Sequence, residues 1–186
     1  DQVMIKNMLD AKAVGNYAVA VRLSEVWYFI PVAITSSVFP AIINAKKISE
    51  KLYFERLQKL YDLMVCLAIG IALPITLLAN DIIRLLFGTQ YQTAAGVLQI
   101  YIWAGVSLFF GVANNAWILT ENLQRYRILI DGFGAVLNVT LNLYFIKHFG
   151  VLGAALATLI SYLGTMLIIF ASIKKLNIAL KMFFYS

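Results

Sequence analysis

Arg22 and Glu25 stand inside otherwise apolar sequence. A charge at mid-membrane costs at least about 2.5–3.5 kcal/mol on insertion scales, so it is normally sheltered by protein or water and tied to a task. Three residues apart on a helix, the two share a face and can pair. The guanidinium suits a polar, anionic substrate, with Glu25 balancing it while the site is empty. The plainer alternative is an internal ion pair with Arg22 snorkelling outward. A second group is more ordered: Arg127, Asp131, Asn138 and Asn142 fall within an arc of about 60° at 100° per residue. Facing lipid would leave a carboxylate and two amides unsolvated, so this stripe must face protein or water. It reads as cavity lining, or else as interhelical glue with Asp131 paired to Arg127.

Two further rows are weaker. Gly96, Trp103, Ser107, Gly111 and Asn114 lie along one side of another apolar run and read mainly as close packing, with Asn114 a possible cavity residue. Gly153, Ala157, Ser161 and Thr165 form a small-residue ridge, again for packing. The chemistry within reach is binding. No glycine-rich phosphate loop, catalytic carboxylate pair or activated nucleophile can be assembled, so no enzyme and no catalytic residue are expected. The lone Cys66 and lone His148 exclude a disulfide or zinc framework. Cys66 is expected to pack internally and His148 to sit in a short loop. No metal or cofactor is expected, a coupling ion (H+ or Na+) being the possible exception.

The elements that position these residues follow from composition. Of 186 residues, 62% are apolar and 13% charged, with a mean hydropathy of +0.83, whereas soluble domains hold about 45–50% apolar and about 25% charged residues. Too little polar surface remains to face water. The expected fold is all-α, a polytopic transmembrane bundle with five full spans near 14–43, 60–79, 94–119, 127–146 and 151–173. Each approaches or exceeds the about 20 residues that cross a hydrocarbon core. Residues 1–9 read as the end of a sixth span, and a start at Asp1 without Met reads as a piece of a longer chain. Continuous apolar runs exclude barrel strands, which alternate in polarity.

The net charge of +6 does not indicate nucleic acid, because Lys and Arg gather between the apolar runs. Ten lie on one side, including the basic stretch 46–59 (read as a solvated linker), and four on the other. The side with ten is expected to be cytoplasmic, and with it the C-terminus.

Several motifs occur in order: Val14-Gly15-Asn16-Tyr17-Ala18-Val19-Ala20, Phe39-Pro40, Phe87-Gly88-Thr89-Gln90-Tyr91, Ala94-Ala95-Gly96-Val97-Leu98-Gln99-Ile100, then Asn138, Asn142 and Phe149-Gly150-Val151-Leu152-Gly153-Ala154-Ala155. This series resembles the polysaccharide (O-antigen type) flippases of the multidrug/oligosaccharidyl-lipid/polysaccharide exporter superfamily, over nearly the whole chain. The resemblance implies two six-helix bundles around a central cavity, working by alternating access. The chain would be the C-terminal bundle, from the end of the seventh helix through the twelfth, with the N-terminal bundle missing as a partner. Asp1 matches an acidic position often found in that seventh helix and is a possible cavity residue. The implied cargo is an undecaprenyl-pyrophosphate-linked oligosaccharide, moved across a bacterial inner membrane for O-antigen or lipopolysaccharide synthesis. Arg22 could then meet the pyrophosphate. Alternatives are a lipid II flippase or drug/cation antiporter of the same superfamily, a membrane-embedded glycan polymerase or ligase, and a non-transporting structural subunit.

Overall fold

The computed structural model describes residues 1–172 together with Ile178 and Met182. Residue 173, which closes the fifth expected span, and Lys174, Lys175 and Lys181 of the expected cytoplasmic tail lie outside the described residues. Among the described residues every regular element is helical. The order is α1 (Gln2–Met8), α2 (Ala11–Glu25), a 3-10 turn (Val26–Tyr28), α3 (Phe29–Ile48), α4 (Glu50–Phe87), a second 3-10 turn (Thr89–Tyr91), α5 (Gln92–Tyr101), α6 (Ala104–Thr120) and α7 (Arg125–Ser172).

By length and composition, Ala11–Ile48, Glu50–Phe87 and Arg125–Ile168 can each cross a membrane. A fourth candidate is the pair Thr89–Tyr101 and Ala104–Thr120, bent by 44°, if it is one span.

The boundaries differ from the hydropathy pattern for identifiable reasons. The basic stretch 46–59 is not a linker, since helix α3 runs to Ile48 and α4 begins at Glu50. Tyr53, Leu57 and Leu60 are buried at helical spacing, while Lys51 and Glu55 point outward as a weak i,i+4 pair. Only Ser49 interrupts the run. Its hydroxyl accepts from Leu52 N at 3.1 Å and caps α4. Pro31 cannot donate to the carbonyl four residues back, and a 3-10 turn precedes it. Cys66 is exposed on the outer surface rather than packed. His148 lies in the last turn before Gly150, not in a loop; Nδ1 is 2.8 Å from the Tyr144 carbonyl.

Helix α7 is two arms. Gly150 holds φ 60°, ψ −139°, a backbone setting that L side chains rarely adopt. Contacts between Phe145 and Gly153, Leu137 and Gly164, and Gly134 and Thr165, with the Asn138–Ser161 hydrogen bond, straddle Gly150 almost symmetrically. The arms 125–149 and 151–172 therefore run antiparallel. At Gly153 a β-carbon would lie 2.0 Å from the Phe145 carbonyl oxygen, so the hairpin closes only over a glycine.

Two apolar cores fill the bundle. One gathers Ile42, Tyr61, Met64, Phe110 and Trp117; the other gathers Ile5, Tyr17, Ile83, Leu98, Ile146 and Val151. They meet where two helical runs are interrupted and a third carries a proline. Tyr28, in the first 3-10 turn, abuts Gly105, just past the α5–α6 bend. From that bend, Trp103 Nε1 donates to Thr76 Oγ1 at 3.1 Å, two residues beyond Pro74 of α4.

Candidate functional site

The two arms of α7 stand apart from α6 far enough to leave a cavity of about 490 Å³. Its wall alternates apolar residues such as Phe110, Ile130 and Met166 with polar ones from four helical segments. Four residues of the expected site line it: Asp131, Asn138, Asn114 and Asp1. Asn142 lies fully buried one turn beyond Asn138 and supports the wall from behind.

Asp1 is the centre of one end. Tyr17 Oη donates to its Oδ2 at 2.5 Å, Thr158 Oγ1 lies 2.8 Å from the same oxygen, and Asn142 Nδ2 donates to Oδ1 at 2.8 Å. Asn142 Nδ2 also lies 3.0 Å from Asn138 Oδ1, and Asn138 Nδ2 donates to Ser161 Oγ at 3.2 Å. Three donors converge on one carboxylate, and the chain of bonds links the start of α1, α2 and both arms of α7. Among the described residues, Asn142 Oδ1, Ser107 Oγ and Thr165 Oγ1 are buried without a protein hydrogen-bond partner. Ser107 and Thr165 line the cavity itself. Such orphaned groups cost about 1–3 kcal/mol each unless water or a ligand meets them.

The other end carries the charge pair Arg127–Asp131, joined Nε to Oδ2 at 2.8 Å. Arg127 Nη1 also donates to Asn115 Oδ1 on α6. Asn114, also on the cavity wall, accepts from Tyr61 Oη of the first core at 3.2 Å.

Arg22 and Glu25 sit elsewhere. Both are exposed and neither lines the cavity, and among the described residues they form no ion pair. Their faces are set by the end of α2, whose buried side carries Tyr17, Ala20 and Ser24.

Sequence reasoning missed Thr158, Tyr162 and Asn115 and assigned Ser107 and Thr165 to packing. A signal existed. Thr158, Tyr162 and Thr165 recur at i, i+4, i+7, a row that meets the small-residue ridge at Thr165. The ridge does pack as expected: Gly153 and Gly134 bring the two arms together.

No family model matches the chain, and no solved structure does. Two curated relatives come from the archaeon Haloferax volcanii. The chain is 27% identical over 179 residues to "Probable flippase AglR", covering 90% of this chain and 36% of that protein. It is 26% identical over 163 residues to "Probable low-salt glycan biosynthesis flippase Agl15", covering 87% and 34%. The chain thus spans about a third of the length of the curated relatives it matches. Proteins so named are transporters, not enzymes.

Proposed function

We propose that this chain is one helical bundle of a flippase that moves a lipid-linked glycan across a membrane. The observation that carries the reading is a half-polar cavity inside an otherwise apolar bundle, with buried hydroxyls that lack protein partners. Sugars need such groups, and the surrounding apolar face suits a lipid chain. The relatives' names support lipid-linked glycan transport as a class. The family resemblance supplies the finer proposal: an undecaprenyl-pyrophosphate-linked oligosaccharide crossing a bacterial plasma membrane from inner to outer leaflet. The curated relatives being archaeal, only the carrier-linked glycan is common to both sources.

In this reading the chain contributes five spans and the end of a sixth. The Gly150 hairpin divides the long α7 stretch in two, and the bent α5–α6 pair is one crossing. A second bundle, supplied by the rest of a longer protein, closes across the cavity, and the two rock about a shared site. Asp131, Asn138, Asn142, Asp1 and Asn114 form or support the substrate surface. Arg22 and Glu25 complete it at the rim, facing that second bundle. The basic side and the C-terminus are cytoplasmic. Asp1, Thr158 and Asn142 offer the oxygen-rich cluster in which a coupling proton or Na+ would sit, and the unpartnered Asn142 Oδ1 fits a cation's demand for oxygen ligands.

The test fills the cavity without touching its polar groups. Nothing stands within 4 Å of a β-carbon built at Gly111. In the full-length protein, Gly111→Phe should leave membrane abundance unchanged and cut export of surface glycan at least about tenfold, a loss of about 1.4 kcal/mol or more in transport. Normal export from a filled cavity would exclude it as the transport path.

A further inference from the structure

We infer that Arg127 is the anion-binding group of this cavity, presenting its guanidinium to a phosphate-class group at the mouth. This deepens the transport reading and rests on it for its purpose, though its chemistry stands on the side chain's own surroundings. Arg127 lines the cavity, whereas Arg22 does not. A guanidinium has five N–H donors. Asp131 takes one, at Nε, and Asn115 takes a second, at Nη1, which leaves three. These two partners come from different helices, so they fix the plane of the fork rather than merely neutralising it. Asp131 takes Nε alone, so among the described residues both N–H groups of Nη2 and one of Nη1 have no protein partner; the Arg127 side chain is 45% exposed.

Charge and dipole point the same way. Arg125 and Arg127 both stand in the first turn of α7, where the positive end of the helix dipole adds to them. Asp131 offsets one of these charges, and the neighbouring Glu121 is already engaged by Lys46 at 2.8 Å. The mouth therefore keeps net positive character. Deeper in, the unpartnered hydroxyls of Ser107 and Thr165 are an independent sign that an oxygen-rich ligand, or water in its place, belongs in this space. Planar, bidentate donation is the geometry that phosphate oxygens accept. Asp1 lies at the opposite, carboxylate end, so an anionic group enters at Arg127 and neutral polar groups reach inward. On the inside-positive orientation Arg127 faces the cytoplasmic leaflet, where a lipid-linked donor would arrive.

The inference can be read without export. Asn115 and Gly111 are four residues apart on α6, so a thiol at position 111 lies about 6 Å along the helix from the group that holds Arg127. In purified full-length protein carrying Cys66→Ala and Gly111→Cys, alkylation by N-ethylmaleimide is timed with inorganic pyrophosphate, farnesyl diphosphate or sodium chloride at equal ionic strength. Both phosphate probes should slow labelling at least about fivefold over chloride; protection by farnesyl diphosphate alone would assign the site to a lipid headgroup. Adding Arg127→Gln should abolish protection, while Arg84→Gln, in an exposed pair with Asp81 that does not line the cavity, should leave it. Should Arg127→Gln fail to accumulate, Arg127→Lys decides, because it keeps the charge and loses the fork. Protection should then weaken at least about threefold. Undiminished protection in either Arg127 variant, or none in the parent, overturns the inference. A loss of protection with normal export would likewise show that transport does not need this contact, leaving the transport reading intact.

Discussion

The Asp1 carboxylate receives Tyr17, Thr158 and Asn142. Hydrogen bonds to a charged group contribute about 1.5–3 kcal/mol each. Tyr17→Phe and Thr158→Val should therefore each destabilise the full-length protein by about that amount, measured by denaturant titration of the purified protein. The two effects should not add, since both donors serve Asp1 Oδ2. If both variants unfold at the parent's midpoint, the network is incidental to stability. At this scale the sequence was partly legible. The 3.6-residue period of Arg127, Asp131, Asn138 and Asn142 pointed to one face, because a stripe of unsolvated polar groups has few places to go. Arg22 was not legible: its spacing to Glu25 allowed pairing, but the buried side of α2 is decided by Tyr17 and Ala20 packing into the second core. Nor could spacing reveal that Asn115 reaches Arg127, a contact made across a turn with Asn122 at φ 55°.

The helical hairpin at Gly150 depends on two glycines for different reasons. Gly150 needs a backbone conformation open to few other residues; an alanine there should cost about 1–3 kcal/mol. Gly153 needs space, because a β-carbon meets the Phe145 backbone, which cannot move aside like a side chain. Gly153→Ala is expected to be the worse of the two and to strip most of the folded protein from the membrane. Gly111→Ala, in open space, should be neutral or slightly stabilising through helix propensity. Abundance of the three variants by quantitative blotting checks the order, and equal abundance of Gly153→Ala and Gly111→Ala would contradict it. Apolar runs made the existence of these helices plain, since length and hydropathy alone identify a span. Their ends were not plain. The charged stretch 50–59 continues as helix because Tyr53 and Leu57 pack inward, a tertiary decision that overrides its polar composition.

For the whole molecule, orientation is the property most open to direct test. The basic side gathers Lys46, Arg56 and Arg125; on it, Lys46 ties the end of α3 to the end of α6 through Glu121 at 2.8 Å and the Thr120 carbonyl at 3.0 Å. Ser49 is on that side and Thr89 on the other. Single-cysteine variants Ser49→Cys and Thr89→Cys, each on Cys66→Ala in the full-length protein, should differ in intact cells. A membrane-impermeant maleimide should label the second and spare the first, and the reverse result would invert the orientation. The meeting of the two cores bears on how such a body deforms. Each core is a stiff block of interlocked side chains. Between them the α2–α3 and α5–α6 runs lose their helical continuity at one level, while α4, weakened by Pro74, and the two arms of α7 pass through. A beam built this way does not flex evenly along its length. It concentrates curvature at the unbraced section and pivots about the rods that remain continuous, so a force at the mouth of the cavity would tilt one block against the other.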